Sequence, residues 1–148
     1  MDEIDFRRGR PRRYAWTLAV RYEIVERVLV IHAEGDYPLT DLFATWDAAF
    51  ADPLCPPEPR ILLDVTESTS VAGRSAREIR AITSFYLSRT AEFARPHTAV
   101  VVGRAVQYGV MRVAATLASI VGSDVRIFWK ISDAVQWLRS GDPCHAEP

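Results

Sequence analysis

Four short stretches of this sequence combine hydroxyl, carboxylate and cationic side chains: Gly35-Asp36-Tyr37, Thr66-Glu67-Ser68-Thr69-Ser70, Gly103-Arg104 and Lys130-Ile131-Ser132. Asp36 and Glu67 supply two acids and Arg104 and Lys130 two bases. With Thr66 they form a set able to hold a polar or anionic ligand. Gly103 offers a second route to an anion, because Gly103-Arg104-Ala105 opens a helical pattern, where free backbone N–H groups and the helix dipole favour negative charge. No reaction-specific motif accompanies them. The chain has no Gly-x-Ser-x-Gly, no Gly-x-Gly-x-x-Gly and no Gly-Lys-Ser/Thr, so the fingerprints of a nucleophile elbow, a dinucleotide fold and a P-loop are all missing.

The remaining reactive residue types read as structural. His32 falls within a strand pattern, His97 precedes another, and His145 lies near the C-terminus; a catalytic histidine has to reach a cleft in a defined tautomer. Asp64 ends an apolar strand, where its bland role is to cap loop amides. Cys55 and Cys144 match neither a disulfide framework nor, with three scattered histidines, a zinc spacing. No catalytic residue, metal or cofactor is assigned.

The elements that must position these residues alternate. Trp16, Leu18, Val20, Tyr22 and Ile24 face one way and Thr17, Ala19, Arg21 and Glu23 the other, the period of a half-buried strand. A turn at Val25-Glu26-Arg27 leads to the apolar run Val28–Ala33, which pairs with it as a hairpin. Pro38 and the N-cap candidate Thr40 introduce a helix carrying Leu42, Phe43, Trp46, Ala49 and Phe50 on one face. Arg60–Val65, apolar without alternation, is a central strand. Ser75 and Glu78 have capping-box spacing at the head of a second helix with an inner stripe of Ile79, Ile82, Thr83 and Tyr86. Arg74, Arg77, Arg80, Ser84 and Ser88 turn outward. A fourth strand, Thr98–Val102, precedes a third helix ended by Gly122. A fifth, Val125–Trp129, precedes a last helix capped by Ser132. Strands alternating with helices need crossover connections. The expected fold is therefore α/β, with a mixed, mainly parallel sheet of about five strands and four helices in the order β-β-α-β-α-β-α-β-α. In such folds the four polar stretches above gather at the carboxyl edge of the strands.

The third helix carries two apolar stripes. Val106, Val110, Val113, Leu117 and Ile120 are its expected core face, and Tyr108, Met111, Ala115 and Ala118 a second one. Two stripes imply either a wide core contact or an interface, with another protein or with a second copy of the chain.

With 148 residues, 49% hydrophobic and 25% charged, the sequence suits one globular domain that buries roughly 70% of its unfolded surface. A net charge of −1 lacks the excess that nucleic acid would need of a partner. Of the 18 basic residues Lys130 alone is lysine, which reads first as coding-composition bias and second as selection for bidentate anion contacts. Residues 1–13, with five arginines between Arg7 and Arg13, read as a flexible arm, residues 14–140 as the domain and 141–148 as a frayed tail. Met1-Asp2-Glu3 runs into arginines without an apolar segment, and no stretch approaches the ~18 apolar residues of a membrane span. A bacterial-type cytoplasmic protein is expected.

The order of elements, the Arg60–Val65 strand followed by a Ser/Thr loop and helix, and the closing Val125-Arg126-Ile127-Phe128-x-x-Ile131-Ser132-Asp133-Ala134-Val135-Gln136-Trp137-Leu138 resemble the STAS-like domains, the group of bacterial anti-sigma factor antagonists, and particularly their uncharacterised small bacterial relatives. The resemblance covers about residues 16–140. It implies a non-enzymatic regulator that docks on a protein partner and is switched by phosphorylation at the start of the helix after the third strand. The family's Asp-Ser-Ser-Gly pattern is replaced here by Ser70-Val71-Ala72-Gly73-Arg74-Ser75, so Ser68, Thr69, Ser70 and Ser75 are all candidate phosphoacceptors. Two other functions stay open. One is a small-molecule or lipid carrier, since STAS-like sheets are similar to those of CRAL-TRIO lipid carriers. The other is a small enzyme using Asp36, Glu67 and Arg104 at the loop edge.

Overall fold

Strand β1 (Val20–Val25) pairs antiparallel with β2 (Val28–Ala33), and Val25 lies opposite Val28, so Glu26 and Arg27 alone make the turn. Both hold positive φ, 50° and 71°. A two-residue hairpin loop favours this left-handed pair because it follows the twist of the strands, but a side chain bearing Cβ pays on the order of 1–2 kcal/mol there. Arg27→Gly is expected to raise stability by about 1 kcal/mol, read as a higher midpoint in thermal unfolding. An unchanged midpoint would mean that the turn carries no strain at Arg27.

The structure is a computed structural model describing residues 19–93, 96–120 and 122–140. The N-terminal arm, Trp16 to Leu18 of the expected first strand, and the tail from Gly141 lie outside them. Beyond β2 come α1 (Leu39–Ala51), β3 (Arg60–Asp64), a 3₁₀ turn (Val71–Gly73), α2 (Ala76–Thr90), β4 (His97–Val101), α3 (Ala105–Ile120), β5 (Asp124–Phe128) and α4 (Ile131–Ser140). The sheet runs β1-β2-β3-β4-β5, parallel everywhere except between β1 and β2. This is the mixed, mainly parallel α/β architecture expected from the sequence.

Crossovers of one hand that step in one direction along a sheet put their helices on one face. Accordingly α1, α2 and α3 share a core with Leu29, Ile31, Ile61, Leu63 and Val100. The alternate residues Val28, Val30, Leu62, Ala99 and Val101 point to the opposite face, which α4 covers with Ala134, Val135, Trp137 and Leu138.

Local signals meet mixed outcomes. Ser75 and Glu78 form the reciprocal capping box of α2. Thr40 does not cap α1: Pro38 occupies the cap position with extended backbone, and its carbonyl accepts the Asp41 N–H at 3.1 Å. Ser132 likewise lies inside α4, whose first turn closes from Ala134 N–H to the Lys130 carbonyl. Arg74 does not point outward. Its guanidinium lies 5.0 Å over the Tyr37 ring and donates to the Tyr37 carbonyl.

The largest departure concerns α3. Its inward residues are Gln107, Met111 and Ala118, with Ala114 packed beside them, whereas Val106, Val113 and Ile120 of the expected core face are 50%, 52% and 74% exposed. The helix is turned by about 100°, one residue's rotation. Gln107 supplies the reason. Its Oε1 accepts from the N–H groups of Gly103 (2.8 Å) and Arg104 (3.2 Å), and its Nε2 donates to the carbonyls of Val65 (2.9 Å) and Ser68 (3.0 Å). Turning the valines inward would swing this amide out and break all four bonds. Met111 and Ala118, read as candidate interface residues, are therefore core.

Candidate functional site

At the carboxyl edge, the β2–α1 and β3–α2 loops are stitched together. Gly35, at φ 65°, donates its N–H to the Glu67 carbonyl at 2.8 Å and accepts from Thr69 N–H at 2.8 Å. Positive φ suits glycine here, since a Cβ would be strained. Ser68 is buried, its hydroxyl donating to Tyr37 Oη at 3.2 Å and accepting from Val71 N–H at 3.2 Å. Of the other candidate phosphoacceptors, Thr69 is exposed, Ser75 Oγ is the helix cap, and Ser70 Oγ lies 3.2 Å from a guanidinium nitrogen of Arg74.

The candidate ligand edge is less convergent. Asp36, Glu67 and Arg104 are exposed, and no ion pair joins any of them to a described residue. The Gly103 and Arg104 amides that would greet an anion already bond to Gln107. Thr66 bonds Asp64, its N–H donating to Oδ1 at 3.0 Å and its hydroxyl at 2.7 Å. Strands β2 to β5 follow one another without reversal, so the sheet lacks the switch point at which neighbouring loops diverge and open a crevice.

A second cluster lies on the face away from α1–α3. Neighbouring register places His32 beside Asp64 on β3 and Arg21 on β1, with Glu23 diagonal to it. His32 Nε2 is 2.9 Å from Glu23 Oε2 and its Nδ1 3.3 Å from Asp64 Oδ2. Glu23 and His32 are each only 3% exposed. Burial pulls the His32 pKa down and is the largest single influence, but the bonds to Asp64 and Glu23 outweigh it and leave the value raised. Burial pushes Asp64 up, yet His32 and Thr66 hold it below the ordinary carboxylate range. The cluster sets one imidazole between two carboxyl groups, and Glu23 Oε1 has no hydrogen-bond partner among the described residues. Sequence reasoning set Glu23 on the polar face of a half-buried strand and read His32 singly. The available signal was register: three titratable residues on adjacent strands, two of them in the most apolar runs of the chain.

No protein-family model and no curated protein matches the sequence. Among solved structures the chain is similar to an uncharacterized protein from the DUF3478 family with a SpoIIAA-like fold, from Shewanella loihica PV-4, at TM-score 0.55 and 24% identity over 81% of this chain and 92% of that one. This chain has a SpoIIAA-like fold. That agrees with the STAS-like resemblance of the sequence.

Within this SpoIIAA-like fold, the described residues include no group of three or more His, Cys, Asp or Glu able to hold a metal and no helix long and apolar enough to cross a membrane. Burial first, and the Asp52 carboxylate second, push the Cys55 thiol pKa up, away from reactive thiolate; Cys144 and His145 lie outside the described residues. His97 opens β4 and packs against Trp137, ring centroids 5.5 Å apart. Three of the exposed large hydrophobic side chains, Val106, Val113 and Ile120, stand on α3. Besides its aliphatic stripe, Tyr108 stacks on Trp129 at 5.4 Å, and Trp129 is itself 52% exposed.

Gln107 also makes the edge testable. Gln107→Leu keeps the volume but strands buried backbone groups, at an expected cost of about 1–3 kcal/mol, and the Gly103 and Arg104 amides should exchange hydrogen faster. Unchanged exchange there would mean that the side chain does not cap α3.

Proposed function

We propose that this protein is a non-enzymatic, protein-binding regulatory module whose docking face is the outer stripe of α3. The observation that carries this reading is the exposure of Val106, Val113 and Ile120 along one helix, with Trp129 at its side. Aliphatic surface left in water is unfavourable by about 25 cal/mol per Å², and apolar patches exposed on soluble proteins mark interaction surfaces. The edge chemistry supports the same reading from the other direction. Asp36, Glu67 and Arg104 converge on no shared point through any bond of the described residues, which weakens the enzyme alternative. For a carrier, the half-open apolar pocket between α2, α3 and the sheet, bordered by Trp46, Tyr86, Met111 and Ala114, is about 40 Å³, below the roughly 300–1,000 Å³ of ligand pockets; hollows of about 430 and 410 Å³ lie elsewhere, one beside Thr90, Phe93 and Ser123 and one over Gly109 and Val113 on α3 itself.

The regulatory part of the proposal rests on Ser70. A phosphoryl group there would bring about −2 charge to the Arg74 guanidinium, which now bonds the Tyr37 carbonyl and Glu78, and would compete for those contacts.

The test is photo-cross-linking in the protein's own cells, with a photoreactive amino acid at position 113 and, as control, at the exposed position 136 on α4. A discrete protein adduct from position 113 alone is expected. Adducts of equal yield from both positions, or none from either, would remove the docking reading.

A further inference from the structure

The spacing along the exposed stripe says what kind of surface would fit it. Val106, Val110, Val113, Leu117 and Ile120 follow steps of four, three, four and three residues, the repeat that keeps one seam facing a partner helix; Val106, Val113 and Ile120 stand exposed along it, while Val110 packs its inner edge against the core and Leu117 is half-buried. Beside this seam Gly109, Arg112, Val113 and Thr116 stand at i, i+3, i+4 and i+7, the four corners of a hole that accepts one inserted side chain. They border a surface trough together with Leu117. Gly109 leaves the hole open, for a Cβ built on it would meet nothing within 4 Å. α3 spans 16 residues, about 24 Å at 1.5 Å per residue, enough for a partner helix of some four turns.

Charge selects among occupants. From Gly103 to Gly122 the chain carries Arg104 and Arg112 and no acidic residue. The neighbouring α2 adds exposed Arg77 and Arg80. None of the four arginines forms an ion pair with a described residue, and Arg112 only donates to Tyr108 Oη, at 3.2 Å. A second copy seated on a two-fold axis would set one α3 against another, arginine facing arginine, with no carboxylate on either α3 to offset them.

We propose that α3 receives an amphipathic helix of another protein, with aliphatic side chains on the Val106–Ile120 seam, one of them in the Gly109 hole, and carboxylates flanking them opposite Arg104 and Arg112. This rests on the reading of α3 as the docking face and adds the chemistry of its partner. Trp129, stacked on Tyr108, offers an aromatic anchor beside the seam.

The experiment uses the full chain and two designed peptides of about three heptads, both with leucine at the seam positions, one flanked by glutamate and its twin by lysine. Binding is read by fluorescence anisotropy. The glutamate peptide should bind with micromolar affinity, weaken as salt is raised, and lose at least about tenfold on Val113→Asp; the lysine twin should bind at least about tenfold more weakly. Arg112→Glu, at an exposed position, should reverse the preference between the twins, which keeps the proposal testable if Val113→Asp proves poorly folded. Equal binding of the twins, or none, overturns it. So does dimerisation of the protein alone that Val113→Asp abolishes in sedimentation, or Val113-dependent uptake by phosphatidylserine vesicles. A partner cross-linked at position 113 alongside peptides that fail to bind would sink this inference and leave the docking function standing.

Discussion

Replacing His32 by leucine is expected to cost the fold about 3–5 kcal/mol near neutral pH, because it leaves the Glu23 and Asp64 carboxylates buried without the cation between them. The pH dependence identifies the cause. The folded pKa of His32 is raised, so its contribution is complete below the unfolded value of about 6.5 and is lost as pH rises through the folded one. Asp64, whose folded pKa is lowered, contributes above its unfolded value of about 3.9 and loses that contribution as pH falls through the folded one. Urea unfolding of the wild type from about pH 5 to 9 should therefore show stability declining on the alkaline side. His32→Leu should lack that decline. A variant with the wild-type alkaline slope, or a loss below about 1 kcal/mol, would mean that the cluster is not the charged triad its geometry describes.

The second large effect separates the two stripes of α3. Met111→Asp drives a carboxylate into the core formed with Tyr86 and Val100 and is expected to cost about 3–5 kcal/mol. Val113→Asp, on a half-exposed side chain, should stay within about 0.5 kcal/mol of wild type in chemical denaturation while abolishing the cross-linked complex. Equal damage from both substitutions would return the valine stripe to the interior.

The sheet was legible in the sequence because its strands are strongly apolar and its helices carry turn and cap signals; Ser75 and Glu78 are the clearest case. The α3 face was not. Hydrophobic ranking places Val106 and Val113 above Ala114 and Ala118, and nothing local reveals that Gln107 will find four backbone partners from Val65 to Arg104. A single polar residue thus left three aliphatic ones, Val106, Val113 and Ile120, in solvent. The His32 cluster was hidden for a related reason. Alternation sets Glu23 and His32 on one face, but only the register of β1, β2 and β3 brings Glu23, His32 and Asp64 together. At the carboxyl edge the contacts tie the β2–α1 loop to the β3–α2 loop through Gly35, Ser68 and Arg74 and do not turn the exposed acids toward a common centre.

The sheet's unbroken order has a consequence for how the chain reaches this state. Each strand from β2 onward is laid against the one made just before it, so no strand has to wait for a distant segment to be synthesised. The loop entropy of each pairing is that of one strand–helix unit. Assembly on the ribosome can proceed as accretion at a single growing edge, and among the described elements the face bearing Leu62, Ala99 and Val101 is covered only when α4, the last of them, emerges.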